Sequence, residues 1–341
     1  TLVLNTATPN GSDSADTDGQ VYIGMNFDGF RGRVDFANSG LGLLTINSAS
    51  YNVINSLSQL QSMAITGNFA LGANLGTLGS NFSFTPISSF ANKFNGLGHT
   101  ITGMNISGAA AANTGMIKIA GAASDIRNVG LVDGIVSGGG AGTGGLIGSG
   151  TTGVVSNSYN TGNVSGAAGT GGLVGSMTTG LILNSFTSGI SIGAAGTGGL
   201  VGNMSTGSVI NSYATGNVTG AAGAGGLVGT STGLISGSNA TGFVDGKAGT
   251  GGLVGTTTGN TVNSYATGNV TGDAGTGGLI GTSTGAVTNT YAGGNVIGAA
   301  STGGVLGSST GVLTNNFWDI ANSAYGVGST TPAGTYSVTR T

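Results

Sequence analysis

Gly198-Gly199-Leu200-Val201-Gly202, followed by Asn211-Ser212-Tyr213-Ala214-Thr215-Gly216-Asn217-Val218, is a passage that the chain repeats along most of its length. Its Gly-Gly-apolar-apolar-Gly pentad starts at Gly144, Gly171, Gly198, Gly225, Gly251, Gly277 and Gly303. The first three steps are equal, and the last three are each shorter by a single position. An asparagine keeps the same time at Asn157, Asn184, Asn211, Asn263, Asn289 and Asn315, with Gly237 in its place once. A steady period of about 26–27 residues marks a stack of like supersecondary units.

No repeat carries apolar residues at helical spacing. Each offers three short runs of strand-forming residues between Gly, Ser, Thr and Asn: Leu200-Val201, Val209 to Tyr213, and Asn217-Val218-Thr219 in the passage above. Three strands and three turns per period predict one coil of a parallel β-solenoid, an all-β fold with coils about 4.8 Å apart. The columns agree with that geometry. One holds Leu146, Leu173, Leu200, Leu227, Leu253, Leu279 and Val305, and another holds Val155, Ile182, Val209, Ile235, Thr261, Val287 and Leu313. Aromatics align at Tyr159, Phe186, Tyr213, Tyr265, Tyr291 and Phe317, with Asn239 interrupting. A lone coil buries too little to fold, so the array is the folding unit.

One coil departs from the pattern. Ile190-Ser191-Ile192 stands where its neighbours have Asn-Val-Thr, inverting the alternation. A one-residue slip turns a side chain to the opposite face, so a bulge or an exposed isoleucine is expected there.

The flanks divide the chain further. Residues 1–50 read as extended segments forming an N-terminal cap. Residues 51–121 hold a short helix, with Asn55 or Ser56 as its cap and Leu57 and Leu60 on one face, and then degenerate first coils. The helix is expected to cover the open end of the stack. Residues 122–318 form the regular solenoid. Residues 319–341 end in an alternating strand, Thr335 to Thr341, which can cap its own stack or pair with a neighbouring molecule.

Composition excludes several functions. Charged residues make up 5 % of the 341, against roughly 25 % in ordinary domains. Only Asp245, Lys247 and Asp273 are charged between Gly138 and Trp318, so there is no basic stripe for nucleic acid. No run of about 18 apolar residues exists to span a membrane. A surface with so little charge offers little repulsion between molecules, which favours association with other copies.

Chemistry is scarce in the sequence. The single histidine, His99, lies in a turn-like context and reads as structural; there is no cysteine. Asp273 lies two positions beyond the place one period after Asp245, so the two do not share a column as paired carboxylates would need to. No catalytic residue and no resident cofactor is expected. Asp13, Asp16 and Asp18, alternating before Gly19, follow a pattern that can wrap Ca²⁺ and otherwise form a solvated loop. The asparagine column reads as an amide ladder at a buried corner, with a row of sugar contacts as the functional alternative. Asn163, Asn217 and Asn269 lie in Asn-x-Ser/Thr sequons and, with Val218 pointing inward, are accessible to glycosylation.

The pentads followed by Asn-Ser-Tyr-Ala-Thr-Gly-Asn-Val resemble the GLUG-motif repeats of large bacterial exoproteins, including filamentous-haemagglutinin-like adhesins secreted by the two-partner route. Phe94 to Ile106, Ile126 to Leu131 and Asn315 to Asp319 are similar to the lead-in and exit of that family. The resemblance implies a right-handed parallel β-helix at a bacterial cell surface, without enzymatic activity of its own. Its expected partners are other copies of itself, or glycans or proteins on host or neighbouring cells. A self-assembling extracellular filament and an accessory module of a surface hydrolase are the alternatives.

Overall fold

The computed structural model describes residues 2–4, 23–26, 28–36, 44–82, 85–108, 110–150, 153–319, 321, 325–328 and 335–338. Each regular coil carries strands on three faces. In the coil opened by Gly198, Val201–Met204 lies on the first sheet, Ser208–Ile210 and Tyr213–Ala214 on the second, and Val218–Thr219 on the third. The middle run is thus bent at Asn211 into two strands of one sheet. Successive coils pair in parallel and in register, with Val201 opposite Val228, Val209 opposite Ile235 and Val218 opposite Val244. Among the described residues the first sheet has eight strands and the third has nine. The chain is a parallel β-solenoid.

Equivalent residues share one interior. Every leucine of the Gly-Gly pentads is 0 % exposed, as is Val305 at the last position of that column. The glycines beside them are required by backbone contact: a Cβ on Gly199 would fall against the carbonyl oxygen of Gly226 in the next coil. Leu200 N–H donates to the Leu227 carbonyl at 2.8 Å, one of the rungs that run along the axis.

Further elements pair with the stack at each end. At the leading end Leu44–Ile46 and Ala49–Ile54 form an antiparallel hairpin whose turn residues, Asn47 (φ 47°) and Ser48 (φ 65°), both take the left-handed region of a two-residue hairpin loop. Leu2–Leu4 pairs outside that hairpin. Leu2–Leu4 is thus the outermost described strand of the second sheet at this end. The short helix, Leu57–Gln61, starts at Ser56, whose Oγ accepts from Gln59 N–H at 3.2 Å, and it sends Leu60 into the main core. At the trailing end Trp318 occupies the column of Ala214, Ala240, Ala266 and Ala292, and its indole covers Gly304 and Gly326. Thr335–Val338 then pairs in parallel with the strand ending in Asp319, so the terminal strand caps its own stack.

Residues 190–192 keep the register of their neighbours. Ser191 pairs with Val164 and Val218 and is 0 % exposed, while Ile190 and Ile192 are exposed. There is no bulge, because this coil, from Gly171 to Gly198, is as long as the one before it, from Gly144 to Gly171.

A flap formed by residues 23–26 and 28–36 runs along the outside of the second sheet. Phe36 N–H donates to the Gly72 carbonyl and Val34 N–H to the Leu97 carbonyl. Further along the axis Phe30 packs on Tyr159, with ring centroids 5.2 Å apart. The flap thereby crosses several coils on the face that carries the asparagine and aromatic columns.

Candidate functional site: the asparagine and aromatic columns of the second sheet

The asparagine column exists because of its backbone. Asn157, Asn184, Asn211, Asn263, Asn289 and Asn315 have φ between 46° and 54°, and Gly237 has φ 59°. This left-handed region bends the strand pair, and asparagine and glycine are the residues that enter it at least cost. Amide-to-amide bonds occur at the trailing end, where Asn315 Nδ2 donates to Asn289 Oδ1 and Asn289 Nδ2 to Asn263 Oδ1, each at 3.1 Å. The corner is buried at Asn157 but exposed from Asn211 onward.

The buried ladder is one residue further on. Ser158, Ser185, Ser212 and Ser238 each donate a backbone N–H to the hydroxyl of the next serine, at 3.1–3.2 Å, ending at Ser264. Each of these hydroxyls in turn donates to the carbonyl two residues before it, as Ser212 does to Ile210 at 2.8 Å. Hydroxyls that donate once and accept once satisfy a buried corner that apolar residues would leave unpaired. The repeated Asn-Ser pair carries that signal in the sequence.

Outside these corners stand the aromatics. Tyr159, Phe186 and Tyr213 form a parallel stack at 4.8 and 4.9 Å. The flap buries its first members, so the Tyr159 pKa is pushed up to about 12 by loss of water. The Tyr213 pKa is raised as well, first by burial and then by the negative charge of Asp28 on the flap. Beyond the flap the column changes character. Asn239 replaces the aromatic, Tyr265 is 43 % exposed, and Tyr291 lies over Gly293. A cleft of about 520 Å³ opens here, lined by Asn263, Tyr265, Asn289, Tyr291, Asn315 and Phe317 among others.

The other residues singled out above lie apart from this cleft. Asn163, Asn217 and Asn269 are exposed on the third sheet, where each Oδ1 accepts the backbone N–H of the next coil, from Ile190, Phe243 and Asn295 respectively, at 2.9–3.0 Å. His99 is fully buried, its Nε2 2.8 Å from the Val34 carbonyl and its Nδ1 3.1 Å from Asn74 Oδ1. Burial lowers its pKa, against the opposing pull of the Val34 carbonyl and Asp35. Asp245 is level with Thr271, while Asp273 lies beyond that strand and donates its N–H to the Lys247 carbonyl, so the two carboxylates occupy different columns. Asp13, Asp16 and Asp18 lie outside the described residues. Among the described residues no group of three or more His, Cys, Asp or Glu side chains is placed to hold a metal, and no helix is long and apolar enough to cross a membrane.

No family model matches the chain, and no curated protein matches it either. A solved structure does: the crystal structure of a "putative immunoglobulin A1 protease" from Bacteroides ovatus, at 21 % identity and a TM-score of 0.51, over 77 % of this chain and 84 % of that one. At this identity the likeness is one of fold, and it agrees with the parallel solenoid described above.

Proposed function

We propose that the chain is a non-enzymatic β-solenoid of a bacterial cell surface, a rigid adhesive segment of the GLUG-repeat kind that presents its second sheet to a partner. The observation that carries this reading is the outer face of that sheet. The flap covers the aromatic and asparagine columns over the first regular coils, and beyond it Tyr265 and Phe317 are exposed. Exposed aromatic side chains on a rigid scaffold are what binding surfaces are made of. The nearly uncharged composition fits contact with neutral surfaces rather than with nucleic acid.

The protease named in the structural comparison brings a catalytic reading into view. Against it, the only histidine is buried and engaged with Val34 and Asn74, so it has no water-exposed nitrogen with which to act as a base.

Purified protein applied to bacterial and epithelial cells tests the proposal. Retention on cells, with dispersed short rods in electron micrographs, is the expected outcome. Absence of retention, or hydrolysis of an added protein substrate, overturns it.

A further inference from the structure

We propose that the cleft between Tyr265 and Tyr291 is a binding site for an uncharged oligosaccharide, with the two rings as stacking faces and Asn263, Asn289 and Asn315 as the hydroxyl-reading groups. This rests on the adhesive reading above and supplies its ligand.

The cleft is a local departure from the repeat. Coils before it carry threonine two residues after the aromatic position, at Thr215, Thr241 and Thr267; this coil has Gly293. A Cβ at Gly293 would come within 2.8 Å of the Tyr291 hydroxyl, so the glycine is what lets that ring lie over the backbone. The closed stack of Tyr159, Phe186 and Tyr213 has no such space, its rings being parallel within 2°. Asn239 interrupts the aromatic column one coil before Tyr265, and the Tyr265 side chain is exposed. At about 520 Å³ the cleft has the size of a small-ligand site, for which roughly 300–1,000 Å³ is usual.

The polar groups select the ligand. The ladder from Asn315 through Asn289 to Asn263 uses one N–H of each donor amide and one lone pair of each acceptor. A primary amide has two N–H groups and two lone pairs, so every one of the three keeps both a donor and an acceptor beyond the ladder. A partner meeting such a row must donate and accept at each rung, as a sugar hydroxyl does. No charged residue occurs between Asp273 and Asp319, so nothing here compensates a carboxylate, sulfate or phosphate. The apolar C–H face of a pyranose ring lies flat on a tyrosine, and the amides of Asn263, Asn289 and Asn315 recur along the axis about every 4.8 Å, which suits a linear chain of sugars.

Full-length protein, Gly293→Thr and Tyr265→Ala are titrated with uncharged oligosaccharides, with sulfated and sialylated ones, and with nucleosides as a flat aromatic control, following the tyrosine signals by NMR. Gly293→Thr restores the residue of the other coils and so is expected to fold. The expected result is binding of a neutral oligosaccharide, unaffected by salt, and weakened about tenfold or more in both variants, the size of one lost ring contact. No binding of neutral sugars, binding by the variants as tight as that of the unaltered protein, or binding only of charged glycans or nucleosides overturns the assignment. Retention on cells that free sugars do not compete sinks this site but leaves adhesion standing. Sugar binding without retention does the reverse.

Discussion

The ring of Phe30 is inclined by 57° to that of Tyr159 at a centroid distance of 5.2 Å, which joins a segment outside the repeats to the first ring of the aromatic stack. Burial there holds the Tyr159 phenol at about 12. Because its folded pKa lies above the unfolded value of 10, the stability contributed by the neutral phenol is complete below pH 10 and is lost as pH rises through 12. Phe30→Ala should let water in and return the ionisation towards 10. Absorbance titration against Tyr159→Phe as the blank measures this; an unmoved titration would show that Phe30 does not shield the ring.

Thr261 stands in the column of Val209, Ile235 and Val287, fully buried with an unpaired hydroxyl. Thr261→Val keeps the shape and removes the orphaned group, so it should stabilise the protein by about 1–3 kcal/mol in a urea melt. Ser191→Val, which restores the valine of its column, should act in the same direction, since the Ser191 hydroxyl is also buried and unpaired. A loss of stability in Thr261→Val would contradict the packing described.

Asn211 is held at φ 48°. Asn211→Gly should be nearly silent, as the chain itself shows at Gly237. Asn211→Val should cost about 1–2 kcal/mol or more, the penalty of a side chain forced into the left-handed region. Equal denaturation midpoints for the two variants would remove the backbone explanation of the column.

His99 has a pKa lowered from 6.5, burial being the chief cause. A folded pKa below the unfolded one means that its contribution is complete above 6.5 and is lost as pH falls from there through the folded value. Acidification should therefore loosen the leading end, where Val34 is docked, and His99→Gln should flatten that dependence. Hydrogen exchange at Val34 and Leu97, followed against pH, reads the effect; a wild-type profile flat below 6.5 would refute it.

The interior of this molecule was legible because its residues are written in columns: a leucine that returns once in every coil has only one place to go. The corners were half legible. Asparagine and serine both read as polar turn residues, and only the backbone angles separate the bending role of Asn211 from the hydrogen-bonding role of Ser212. At Ile190-Ser191-Ile192 the unaltered coil length decides between the two expectations, since it leaves no spare residue for a bulge. The flap was not legible. Residues 23–36 carry no repeat, and their docking at Gly72, Leu97 and Tyr159 depends on contacts between parts of the chain far apart in sequence. The cleft follows from a single-residue departure, Gly293, which looks like drift until the Tyr291 ring is placed.

The flap also gives the rod a mechanical polarity. Between coils the hydrogen bonds lie along the axis, so tension applied at the trailing end loads one rung at a time and peels it. Each coil released would then lengthen the chain by about 85–90 Å, the extended reach of its residues. At the leading end the same pull meets a strap laid lengthwise across several rungs, which must be torn off before they can part. A tether hauled from its far end would thus pay out from the Trp318 side first, keeping the strapped half as an anchor.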